Sequence, residues 1–70
     1  MKTISTNMAG NVWKINVAVG EEVDEGQEVI ILESMKMEIP IEAQEGGTIT
    51  SILINEGDFV DEGEAIIELE

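Results

Sequence analysis

The stretch GEEVDEGQEVIILE, Gly20 to Glu33, returns 37 residues later as GDFVDEGEAIIELE, Gly57 to Glu70, with eight of the fourteen positions identical. The match extends upstream. Gly10 falls on Gly47, Val12 on Ile49, Ile15 on Ile52 and Val17 on Ile54, and Ile4 falls on Ile41. A chain of 70 residues has room for one small domain. The repeat therefore predicts one domain over residues 1–70, built from two similar halves (9–33 and 46–70) that share a core.

Each half reads as short strands divided by turns. DEGQ at 24–27 and DEGE at 61–64 place a glycine where a turn needs positive φ, and Gly20 and Gly57 mark a second turn in each half. No window carries a helical stripe of useful length. Aliphatic and β-branched residues dominate the apolar set, with Trp13 and Phe59 the only aromatics. The expected fold is all-β: a flattened barrel or sandwich of about eight short strands in two pseudo-two-fold-related halves.

The two copies also predict which face is inside. Ile30 and Leu32 lie over Ile67 and Leu69, whereas Ile31 lies over Glu68, so position 31 should face outward. The expected core is Ile4, Ile30, Leu32, Ile39, Ile41, Ile67 and Leu69. Val12 to Ile15 and Ile49 to Ile52 are spaced by three, which breaks the period of two. A bulge at 13–14 and 50–51 accounts for this, with the strand passing there from one sheet to another and Trp13 partly outside. Pro40 has no N–H to donate and belongs on an edge.

Composition removes several classes of function. Net charge is −13, with 16 acidic residues against Lys2, Lys14 and Lys36. Nucleic acid and anionic membrane surfaces are unsuitable partners, and basic protein surfaces are favoured ones. The bland alternative is that the carboxylates serve solubility. Without cysteine or histidine, disulfides, thiolate chemistry, the usual zinc sites and imidazole catalysis are excluded. No metal site and no catalytic residues are expected, since the acids around GEEVDEG lack calcium-loop spacing. Neither a signal peptide nor a membrane span is visible, so the expected location is cytoplasmic.

The halves differ in one place. The strand AIIELE runs to Glu70, whereas its counterpart continues through Glu33-Ser34-Met35-Lys36-Met37-Glu38 and returns as MEIPIEA. Lys36 thus falls on a hairpin tip related by the two-fold to the chain ends. The tip contains no glycine, so it should be a tight turn held by apolar arms. Met35 and Met37 on either side would form a small adaptable recognition patch. From the residues alone, Lys36 is either a solvated charge or a functional amine, and Lys2 and Lys14 lack its setting.

The sequence ESMKME, with the repeated G-x-x-V-x-x-G elements around it, resembles the biotinyl/lipoyl attachment domain over essentially the whole chain. Length, MAGNVWKI near the start and MKMEIPIEA after the turn are similar to small bacterial attachment proteins of that family. The resemblance implies a barrel-sandwich hybrid fold and makes Lys36 the covalent biotin attachment point. Met35 and Met37 match the flanking recognition methionines, Glu33 matches the acidic position upstream, and Ser34 stands where Ala is usual. It further implies a biotin carrier and not an enzyme. A biotin–protein ligase would acylate Lys36, and biotin carboxylase and carboxyltransferase components would use the resulting swinging arm, with the domain a monomer. Lipoyl domains usually show Asp-Lys-Ala at the tip, so Met-Lys-Met favours biotin. Lipoate on the same lysine is the alternative, and an unmodified acidic interaction module is a third reading.

Overall fold

The computed structural model describes residues 2–70, and it is all β. Its strands are β1 (Lys2–Ser5), β2 (Gly10–Ile15), β3 (Glu22–Val23), β4 (Glu28–Ser34), β5 (Met37–Glu42), β6 (Gly47–Ile52), β7 (Phe59–Val60) and β8 (Ala65–Leu69). They form two four-stranded antiparallel sheets with orders β1-β8-β6-β3 and β5-β4-β2-β7. A shift of 37 residues turns β1 to β4 into β5 to β8 and exchanges one strand order for the other. The inner faces of the two sheets enclose one aliphatic core, in a body of 32 × 19 × 19 Å.

Each sheet contains strands from both halves. β3 pairs with β6, and β7 pairs with β2. At the junctions Gly20 N–H donates to Ile49 C=O at 2.8 Å, and Ile49 N–H donates to Glu21 C=O at 2.9 Å. The matching bonds run from Gly57 N–H to Val12 C=O at 2.8 Å and from Val12 N–H to Asp58 C=O at 2.7 Å. Neither half completes its ladders without the other.

Of the expected core residues, Ile4, Ile30, Leu32, Ile41, Ile67 and Leu69 are buried. Ile39 is only half-buried, because it stands on edge strand β5, next to the hairpin end, with a neighbour on one side only. The core also takes in Val12, Val23, Ile49 and Val60, together with Val29 and Ile66. Val29 and Ile66 each sit directly before a buried isoleucine, which simple alternation forbids. The register slips beside each of them, between Glu28 and Ile30 against β5 and between Ser5↔Ala65 and Ile4↔Ile67 in the β1–β8 pair. An irregularity of this kind turns two consecutive side chains toward one face.

The register shifts at 12–14 and 49–51 are also present, but the strands do not change sheets there. β2 pairs with β4 on both sides of the shift, through Val12↔Leu32 and then Lys14↔Ile31, and β6 keeps β8 in the same way. The bulge bends the strand while its ladder partner follows the curve. Pro40 lies on β5, at the edge of its sheet.

Four turns share one construction. Gln27 N–H donates to Asp24 C=O at 3.1 Å while Gln27 Oε1 accepts from Asp24 N–H at 3.2 Å. The pairs Asp61/Glu64, Ala18/Glu21 and Asn55/Asp58 repeat both bonds. In the Asp24 and Asp61 turns the third residue, Gly26 or Gly63, has φ near +88° or +87°, as a type II turn requires. Replacing Gly63 by Ala meets open space but forces an L-residue into that region, and should cost about 1–2 kcal/mol. Glu64→Gln should be neutral, because Gln27 performs the same task, whereas Glu64→Ala should lose about 0.5–1 kcal/mol. Urea denaturation midpoints of the three variants check this.

Candidate functional site

The hairpin β4–β5 is the one place where the two halves differ in connectivity. Its ladder runs Ile30↔Ile41, Ile31↔Pro40, Leu32↔Ile39, Glu33↔Glu38 and Ser34↔Met37, leaving Met35 and Lys36 as a two-residue turn. Both turn residues have positive φ, 51° and 65°. This is the geometry of a type I′ turn, whose twist matches the twist of the flanking strands and which Asn-Gly adopts most readily. A side chain in that region costs about 1–2 kcal/mol per residue. The strain is local, and it is held by packing below. Ile30 and Leu32 are fully buried, and Ile41 nearly so.

A second restraint comes from Gly10 at the start of β2. A Cβ there would lie 3.0 Å from the Glu33 carbonyl oxygen and 3.5 Å from the Cβ atoms of Leu32 and Ser34. The backbone of β2 thus presses against β4 immediately below the turn. Sequence reasoning used Gly10 to align the repeat and missed its part in seating the hairpin. The signal was present in its exact match to Gly47, which approaches the Glu70 carbonyl in the same way.

The tip is fully in solvent. Met35 is 92% exposed and Met37 61%, and Lys36 is exposed between them. Among the described residues, no hydrogen bond ties the Lys36 ammonium. Ser34 is half-buried at the base of the turn. Glu33 and Glu38 are exposed and directly opposite one another. Like charges paired across strands oppose the ladder, so this pair adds nothing to the hairpin's stability and surrounds the amine with negative potential.

The other lysines are placed differently. Lys2 Nζ donates to the Gly46 carbonyl at 2.7 Å, which holds it against the turn before β6. Lys14 is exposed but rises from the middle of β2, opposite Ile31. An open groove bounded by Asn7, Glu25, Gly26 and Pro40–Gln44 does not include the tip. Lys36 is therefore presented outward on a rigid post. Such an amine can be entered into another protein's active site and acylated there, and whatever it carries can then be handed between proteins.

The family model described as "Biotin-requiring enzyme", of the biotin/lipoyl group, matches residues 2–69. A biotin/lipoyl attachment protein of Bacillus subtilis is 54% identical over 67 residues, covering 96% of this chain and 92% of that protein. A biotin carboxyl carrier protein of Streptococcus mutans is 39% identical over 67 residues, covering 96% of this chain and 52% of the carrier. The urea carboxylase of Kluyveromyces lactis contains the same fold at a TM-score of 0.89 and 33% identity, over 99% of this chain and 6% of that enzyme. The chain belongs to the biotin/lipoyl attachment family.

The turn geometry gives a direct expectation for stability. Replacing Met35-Lys36 by Asn-Gly relieves strain at both positions, offset in part by the larger backbone entropy that Gly loses on folding, and should stabilise the domain by a net of about 1–2 kcal/mol. It also deletes the amine, so the most stable tip is one that can carry nothing. Thermal and urea denaturation of the double variant measure the gain.

Proposed function

We propose that this chain is a biotin carrier, with Lys36 as the covalent attachment point. The observation that carries the reading is the unengaged Lys36 amine, held on a two-residue turn at the end of a packed hairpin. Biotin carriers and carboxylases recur among the relatives. In its neutral form the Lys36 Nζ attacks the acyl carbon of an adenylate delivered by a biotin–protein ligase. An amide forms, AMP leaves, and the nitrogen's surplus proton passes to solvent.

Met35 and Met37 supply the apolar contact by which a ligase grips the tip, and their unbranched side chains adapt to its surface. Ser34 is small enough to let the turn close, and Glu33 steers a basic active-site mouth toward it. Biotin, when bound, supplies an atom that takes up a carboxyl group and gives it up again. The chain's own contribution is reach and orientation, while biotin carboxylase and carboxyltransferase components perform the chemistry. A lipoyl carrier using the same lysine is the second reading, favoured by one observation: the Bacillus subtilis relative is described as an attachment protein for either group.

Co-expression with biotin and the host's ligase, followed by intact-mass measurement, tests the reading. One biotinyl adduct is expected, mapped to Lys36 and abolished in Lys36→Arg. Modification at Lys2 or Lys14 would overturn the assignment, and a lipoyl adduct on Lys36 in protein purified from its own host would replace biotin with lipoate.

A further inference from the structure

Both aromatic side chains of this protein are outside its core. Trp13 is 48% exposed and Phe59 61%. Scattered exposed apolar residues are ordinary and need no explanation. These two, however, stand on the outer face of a single sheet, the one that carries the Lys36 hairpin. One row across that face is Phe59–Asn11–Glu33–Glu38, one position from each strand. The next contains Lys14, Ile31 and Pro40, with Trp13 beside Lys14 at the bulge. The bulge matters here, because it sets two side chains, Trp13 and Lys14, opposite the single Ile31.

The pseudo-two-fold supplies an internal control. On the other sheet, Trp13 is replaced by Thr50, Phe59 by Glu22, Ile31 by Glu68 and Pro40 by Thr3. At these four matched positions one backbone arrangement therefore carries polar side chains where it holds the chain ends and apolar ones where it holds the lysine. Solubility and folding would favour polar residues on both faces. Among the described residues the other exposed large apolar side chains are Met35 and Met37 at the tip, and Val19 and Leu53, which lie in the turn before β3 and just past β6, off these rows.

The apolar positions of these rows, Phe59, Trp13, Ile31 and Pro40, are framed by carboxylates, two of which, Glu33 and Glu38, belong to the first row itself. The opposed pairs Glu33/Glu38 and Glu28/Glu42 lie toward the two ends of the β4–β5 ladder, and Lys14 is the only cation in the rows. A surface that complements this one has an apolar depression rimmed by Lys or Arg. A second copy of this chain does not fit, because it also carries a net charge of −13. Four apolar side chains make a small patch, on the scale of a contact that forms and dissociates repeatedly. Acylation of Lys36 needs one encounter in a chain's lifetime and can be specified at the tip. A carrier must dock and leave at every turnover, and charge-steered, weakly adhesive contact suits that demand.

We propose that the outer face of the β5-β4-β2-β7 sheet, centred on Trp13, Ile31 and Phe59, is the docking surface for the biotin carboxylase partner, which meets it with an apolar socket ringed by basic side chains. The proposal rests on the biotin reading given above. The surface sets the affinity for the partner, and the tip alone sets acylation.

The test uses the biotinylated full chain and the host's biotin carboxylase. Trp13→Thr with Phe59→Glu installs the residues that the other sheet already tolerates at the matched positions, and Ile31→Glu is a second, independent variant of the same kind. Equilibrium binding of each to immobilised carboxylase is measured, together with KM for the carrier in ATP-dependent uptake of labelled bicarbonate. The expected result is a rise of at least tenfold in Kd and KM with kcat at saturation kept, weaker wild-type binding at 0.5 M than at 0.05 M NaCl, and an unchanged rate of acylation by the ligase. Normal acylation with unchanged Kd and KM overturns the docking face alone. Slower acylation with unchanged carboxylase binding also overturns it, and assigns the face to the ligase. Wild-type protein that accepts no biotin overturns the biotin reading and this inference together.

Discussion

The reciprocal ladder between the two halves is the constraint on which everything else depends. Val12 exchanges backbone hydrogen bonds with the Gly57–Asp58 segment, and Ile49 does the same with Gly20–Glu21. Each half lends its shortest strand to the other's sheet, β3 to β6 and β7 to β2. A two-residue strand has no stability of its own, so β3 and β7 exist only as additions to the opposite half. The core follows from this. Val23 and Val60, one from each lent strand, are buried under sheets to which their own halves contribute less than the whole. With the halves interlocked, β4 is fixed along its length, and the hairpin built on it can hold a strained turn.

The repeat made most of this legible. Strand number, the two-fold, the bulges at 13–14 and 50–51 and the position of Lys36 at a hairpin end all came from comparing one half with the other. What it did not reveal was mostly long-range. That β3 and β7 cross between halves is a fact about pairing partners, and a period of two says nothing about which strand lies alongside. The irregularities at Val29 and Ile66 were hidden for a different reason. In a run such as Val29-Ile30-Ile31 every position is apolar, so a slip in facing leaves no mark on the pattern. Ile39 was assigned to the core by its hydrophobicity, but its burial is limited by its place on an edge strand. At the tip, the identity of the turn residues could be read, while their positive φ could not, because Met and Lys are not residues that announce it.

The acidic surplus has a part in the architecture that composition concealed. Glu21, Asp58 and Glu64 each accept a backbone N–H three residues earlier, closing a turn that would otherwise leave that donor to water. Gln27 does the same without charge, which shows that the requirement is for an acceptor at the right reach and not for an anion. Other carboxylates, such as the opposed Glu33 and Glu38, bring no such benefit and work against their own ladder. Some acids therefore shape the chain, whereas Glu33 and Glu38 face whatever approaches the tip. The division depends on side-chain direction rather than on residue type.

The antiparallel pairing of Lys2 with Leu69 brings the two ends of the fold side by side, about 5 Å apart as such pairs are. The two-fold relates that point to the Lys36 turn, on the far side of the axis. Entry and exit through one small gate make the fold spliceable: a longer polypeptide can run into it and out again with little change in its own path. The attached domain then faces outward with its working end clear of both tethers. The same fold occupies 6% of the Kluyveromyces lactis urea carboxylase and nearly all of the small Bacillus subtilis protein. Geometry of this kind lets one module serve in either setting without being rebuilt.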